Sequence, residues 1–231
     1  MNPPPKEALS PERVARFWPL VSAAAALLVV GGIGLVILYR EHNKPFGFEL
    51  EWMGEIVEHR SPFWTVPALV FNAIGGGLIA IAVVPVLIIV ALLLWRRRWA
   101  ALYFLISVAV SPLIVELLKK VFGRPRPTDI LVTSDFGSFP SGHSANAALI
   151  ATVLGIVLAR RWIWIAGACY TIAMMLSRTY LGAHWISDTV GGALIGVGVA
   201  VIVWAPFAAV LTRERMLPHP PPWRRRTPVS P

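Results

Sequence analysis

The chain has 231 residues, 56% of them hydrophobic and only 14% charged. Soluble domains carry about 25% charged residues, so this apolar excess points to lipid as the solvent. A net charge of +9 would indicate nucleic acid in a soluble protein, but here the basic residues are parcelled out between apolar stretches and read as a topology signal instead. The one cysteine, Cys169, lies inside an apolar stretch, which excludes an intramolecular disulfide and a cysteine-based metal site.

Residues 1–17 are proline-rich and predict an unstructured cytoplasmic tail. The first apolar window, 18–39, is longer than the apolar stretch of a signal peptide and no clean small-residue cleavage site follows it, so it reads as a retained helix. Residues 48–60, FELEWMGEIVEHR, put Trp52, Met53, Ile56 and Val57 on one helical face and Glu49, Glu51, Glu55 and Glu58 mostly elsewhere. That pattern fits a helix lying in the membrane interface as a lip over an outer site, or an ordinary connecting loop.

The second window, 65–95, contains Gly75, Gly76 and Gly77, which serve either close helix packing or a groove for a lipid chain. Windows 100–118, 143–159, 162–177 and 186–211 follow, the fourth and fifth of the six being short for a hydrocarbon core that takes about 20 helical residues to cross. Residues 212–231 form a second basic, proline-rich tail. The expected fold is all-α: one polytopic domain, 18–211, of six transmembrane helices in a bundle, with no internal repeat.

In that arrangement Lys6, Arg13, Arg16, Arg96–Arg98, Arg160, Arg161, Arg213, Arg215 and Arg224–Arg226 share one side. The positive-inside rule makes that side cytoplasmic, with both termini inside. The outer side nevertheless keeps Lys119, Lys120, Arg124, Arg126 and Arg178, besides Arg40, Lys44 and Arg60. Charge bias opposes that cluster, so it needs another reason to exist.

Three stretches in the outer loops supply one: 119–127, KKVFGRPRP; 140–143, PSGH; and 177–188, SRTYLGAHWISD. Lys119, Arg126 and Arg178 are three cations, and the planar arginine fork matches phosphoryl oxygens. Ser141 and Gly142 precede a helix, where a hydroxyl and free N–H groups receive an anion and glycine permits close approach. His184 and Asp188 are spaced i, i+4, so on a helix the carboxylate can accept a proton from one ring nitrogen and leave the other as a nucleophile. His143 then protonates the leaving oxygen. Taken singly, each residue fits a bland interfacial role; together, two histidines, three cations and a carboxylate do not. Lys120 and Arg124 read as solvated or lipid-facing, and Asp129 and Asp135 as loop residues.

Lys119, six residues, Arg126-Pro127; Pro140-Ser141-Gly142-His143; Ser177-Arg178, five residues, His184, three residues, Asp188: this pattern resembles the three-part signature of the type 2 phosphatidic acid phosphatase superfamily. The resemblance implies a six-helix membrane phosphatase without metal or other cofactor. It implies His184 as nucleophile, Asp188 as its orienter, His143 as general acid, and Lys119, Arg126, Ser141, Gly142 and Arg178 around the phosphate. The implied partner is an amphiphilic lipid phosphate, such as undecaprenyl diphosphate, phosphatidylglycerol phosphate, phosphatidic acid or a phosphorylated lipid A. No nucleic acid is implied, and the expected place is a bacterial inner membrane with the active site at the outer membrane–water boundary. Two alternatives use the same residues: a phosphotransferase with a lipid or sugar hydroxyl as acceptor, and a non-catalytic protein holding anionic lipid. Binding alone would need only the cations, so intact His143, His184 and Asp188 favour catalysis.

Overall fold

The computed structural model of the protein describes residues 11–39 and 43–217. In chain order the elements are α1 (Pro11–Tyr39), α2 (Gly47–Glu58), α3 (Pro62–Gly75), a π-helical turn (Ile79–Val83), α4 (Val84–Leu94), α5 (Arg98–Phe122), α6 (Gly142–Leu158), α7 (Arg161–Tyr180) and α8 (Ile186–Met216). The described residues are helical with no strand, as composition predicts.

Five of the six apolar windows become one helix each and the second becomes α3, the π-helical turn and α4, but length and composition qualify fewer of them as membrane spans. Residues Phe17–Tyr39 of α1, together with α5 and α8, are long and apolar enough to cross a membrane. A fourth span forms if α3 and the π–α4 segment, bent by 50° at their junction, count as one. α6 is a shorter apolar helix of 17 residues, and α7 carries Arg161 and Arg178 within its 20. Helix also occupies 11–17 and 212–216, which the sequence assigned to tails; the rest of both tails lies outside the described residues. At the second boundary the reason is visible. Glu214 accepts the backbone N–H groups of Trp99 and Ala100, at 2.9 and 3.1 Å, and so caps the start of α5.

α6 is the central helix, packed on α7 and α8, while α8 also packs on α1 and α5, and α3 packs on α7. The α6–α8 approach is close because α8 offers glycines there. A Cβ at Gly192 would stand 2.2 Å from the Ser141 carbonyl oxygen, and one at Gly196 the same distance from that of Ala145. Leu28, Ile81, Leu113 and Trp162 stay exposed on the outside, the arrangement expected where lipid replaces water.

The two ends of the bundle differ in chemistry. At one end the start of α5 meets the ends of α6 and α8, with Arg97 donating to the Val157 carbonyl and Arg96–Arg98, Arg160, Arg161, Arg213 and Arg215 nearby in the chain. At the other, the end of α5, the 123–141 loop, the α7–α8 turn and α2 come together. Residues 48–60 are thus mostly helix rather than an irregular loop, and only Glu49 and Met53 of α2 are buried.

Candidate active site

α5 ends at Gly123, whose left-handed conformation (φ 54°) turns the chain into the 123–141 loop. Lys119 lies in the last turn of α5, buried, with its ammonium 2.9 Å from Glu116 and 2.5 Å from the Asp135 carboxylate. Arg126 lies in the loop and uses its whole fork. Nε donates to the Asp135 carbonyl, Nη2 to the Asp135 carboxylate (2.5 Å) and the Gly137 carbonyl, and Nη1 to the Ala183 carbonyl and toward His184 Nε2 (3.3 Å). Asp135 is therefore more than a loop residue: its carboxylate bridges the two cations that the signature assigns to phosphate. Burial acts to raise the Asp135 carboxyl, yet the hydrogen bond and charge of Lys119 and the charge of Arg126 hold it below the usual carboxylate range.

Ser141 caps α6: its hydroxyl faces the Ser144 N–H, and its own N–H donates to the Asp188 carbonyl at 2.9 Å, which joins the start of α6 to the start of α8. Gly142 and His143 form the first turn. The His143 ring donates Nε2–H to the Asn72 carbonyl of α3 at 3.3 Å. Space for that ring comes from the glycines of the α3 break, since a Cβ at Gly76 would stand 2.6 Å from His143 Nε2. Asn72 also accepts from Arg178 Nη1 through its side-chain oxygen. A lone amide in an apolar window was the sequence signal for Asn72, and it went unread. Arg178 is 2% exposed and its Nε has no partner among the described residues.

His184 lies in the turn before α8 rather than on the helix with Asp188, which corrects the simple i, i+4 picture. Its Nδ1–H donates to the Ser138 carbonyl at 2.7 Å, whereas the Asp188 carboxylate is 3.7 Å away, in ion-pairing range. Asp188 instead accepts the Trp185 N–H (2.8 Å) and Arg124 Nη1 (2.6 Å). With Nδ1 as donor, the lone pair of His184 is at Nε2, beside Arg126. Burial pushes His184 down to about 4; the Asp188 carboxylate opposes this, while Arg178 and Arg126 reinforce it.

Arg124 is neither solvated nor lipid-facing, contrary to the sequence reading. It is 1% exposed, its guanidinium lies between the rings of Phe46 and Trp185 at 5.8 and 5.7 Å, and it pairs with both Glu49 and Asp188 at 2.6 Å. Lys120 and Asp129 remain exposed, as expected. The predicted residues fall into two groups of contacts at one end of the bundle: Lys119 and Arg126 through Asp135, Arg126 to His184, His184 to Asp188 and Asp188 to Ser141 in one, and His143 with Arg178 through Asn72 in the other.

Next to His143 an apolar cavity of about 280 Å³ opens between the α3 break, α4, α5 and α6, lined by Gly76, Ile81, Pro85, Val108 and Pro112 among others. Among the described residues no cluster of three His, Cys, Asp or Glu side chains could hold a metal ion.

The family model for the PAP2 superfamily matches residues 100–210, which contain every signature position. Phosphatidylglycerophosphatase B of Bacillus subtilis is 30% identical over 125 residues, 49% of this chain and 62% of that protein. The putative undecaprenyl-diphosphatase YbjG of Escherichia coli is 32% identical over 138 residues, 54% of this chain and 68% of that protein. The chain spans about two thirds of the length of these two relatives, and about half that of others it matches. The fold is that of a transmembrane PAP2-type phosphatidylglycerolphosphate phosphatase from Bacillus subtilis, whose crystal structure is similar at a TM-score of 0.71 and 23% identity over 84% of this chain and 98% of that one.

Proposed function

The chain belongs to the PAP2 superfamily, and on that premise we propose that it is an integral membrane phosphatase hydrolysing a lipid phosphate or diphosphate monoester through a phosphohistidine, without metal. His184 Nε2 attacks phosphorus in line. As the P–N bond forms, the bond from phosphorus to the lipid oxygen breaks and His143 delivers a proton to that oxygen, releasing an alcohol, or a lipid monophosphate if the substrate is a diphosphate. Water then attacks phosphorus, giving its proton to His143, as the P–N bond breaks and its electron pair returns to His184 Nε2, and inorganic phosphate leaves. Lys119, Arg126, Arg178 and the first turn of α6 at Ser141 and Gly142 stabilise the equatorial oxygens, with Asp135 yielding the two cations it holds.

The observation that carries this reading is the state of the His184 ring: its Nδ1–H is fixed on a backbone carbonyl and its Nε2 lone pair faces an arginine fork. The apolar cavity beside His143 supports an amphiphile, whose hydrocarbon chain it would receive. The basic turns at the opposite end of the bundle support a six-span arrangement in a cell membrane, with both termini cytoplasmic and the site facing outward. Purified protein in detergent should release phosphate from at least one member of a panel of undecaprenyl diphosphate, phosphatidylglycerol phosphate, phosphatidic acid and lipid A, with EDTA present. A panel on which wild-type protein is no faster than His184→Ala would overturn the reading.

A further inference from the structure

Glu49, Arg124 and Asp188 form a fully buried chain of charges drawn from three separate elements: α2, the 123–141 loop and α8. Glu49 is saturated. It accepts the Phe46 N–H (2.9 Å), Arg124 Nη2 (2.6 Å), and both the N–H and the hydroxyl of Ser187 (3.0 and 2.6 Å). Burying charge is costly even when every group is paired, and apolar side chains of similar volume commonly serve the fold as well. Arg124 cannot serve the phosphate either, since both of its terminal nitrogens are committed to the two carboxylates and Ser187 while aromatic rings cover it.

The formal charges indicate what the chain of groups is for. Asp188 paired with Arg124 alone would present no net charge to His184, 3.7 Å away. Glu49 on the far side of the guanidinium brings the sum of the three back to one negative charge. That charge faces an imidazole that becomes cationic when its Nε2 bonds to phosphorus.

We propose that Glu49 and Arg124 are positioning residues for this reaction: they hold Asp188 in register and keep the Asp188 side of the His184 ring negative, opposite the Arg126 fork at Nε2, which ties α2 to the catalytic apparatus. The inference rests on the phosphatase reading.

Glu49→Gln keeps the shape and removes the charge. Its kcat should fall about tenfold with KM unchanged, the size expected for one partly screened charge several ångströms from the reacting ring. Glu49→Asp, which keeps the charge, should stay closer to wild type. In an Asp188→Asn background, Glu49→Gln should cost little more, because both act through one group. Histidine 15N spectra give a readout free of turnover: the His184 signal, assigned by its loss in His184→Gln, should shift in Glu49→Gln. A wild-type kcat in Glu49→Gln, a full second tenfold loss in the Asp188→Asn background, or an unmoved His184 signal would overturn the inference. If wild-type protein turns over no lipid on the panel, it is the phosphatase reading that fails, and the His184 signal still decides the role of Glu49.

Discussion

His184 donates its Nδ1–H to the backbone carbonyl of Ser138, 2.7 Å away. The ring is therefore oriented by main chain, and the Asp188 carboxylate at 3.7 Å acts on it through charge. Asp188→Asn should keep the His184 tautomer while lowering kcat, by about tenfold to a hundredfold, with KM little changed. Histidine 15N shifts together with turnover check both halves; a switch of tautomer in this variant would return the orienting role to Asp188.

Asp135 occupies the hydrogen-bonding positions on Lys119 and Arg126 that phosphoryl oxygens need. A phosphate must displace a charge-assisted contact to bind there. Asp135→Asn should consequently tighten inhibition by orthovanadate about tenfold, given the usual worth of a hydrogen bond to a charged group. Weaker inhibition would mean that Asp135 arranges the cations rather than competing for them.

Free His184, pushed down to about 4 chiefly by burial, is mostly neutral above that value, so in the proposed mechanism it is ready to attack well below 6.5, the ordinary imidazole value. Corrected for titration of the substrate itself, the acid limb of kcat/KM, which reports loss of the neutral His184 in the free enzyme, should fall near pH 4, while the need for a protonated His143 acts on the opposite, alkaline limb. Asp135, held below the usual carboxylate range by Lys119 and Arg126, stays ionised over most of the same window, so mild acid does not relieve its competition. An acid limb centred near the ordinary imidazole value would contradict the buried, neutral His184.

Gly76 leaves room for the His143 ring. In Gly76→Ala the new methyl would stand 2.6 Å from Nε2 and 3.1 Å from the Asn72 carbonyl, so the ring must move off its partner. Proton delivery to a lipid alkoxide should suffer by about a hundredfold, in the range general acid catalysis supplies. A nitrophenyl phosphate, whose leaving group needs little protonation, should lose far less. Equal losses on both substrates would show that the glycine serves packing alone.

How much of this was legible in the sequence follows from the range of the interactions. Apolar windows and the helix-breaking glycines are local signals, and each window became helical, with α3 and α4 bent at Gly75–Gly77. The eight candidate site residues belong to a signature defined by residue types and spacing, and the fold brings them to one end of the bundle. What was missed is contact between distant segments. Glu49 and Arg124 are 75 positions apart, so an acid on an amphipathic helix and an arginine in a loop each looked solvated. Asn72 pairs with Arg178 across 106 positions. The partner of His184 is a backbone carbonyl, which every residue type possesses, so only the path of the 123–141 loop reveals Ser138.

In the proposed mechanism phosphate passes through His184 Nε2. Acid-labile phosphohistidine is measured by mixing protein with 32P-labelled lipid phosphate, denaturing within a turnover under alkaline conditions, and counting protein-bound label. Wild-type protein should carry label that is stable in alkali and lost in acid, Asp188→Asn should accumulate it more slowly, and His184→Ala should carry none. A wild-type level of histidine-bound label in His184→Ala would contradict the account.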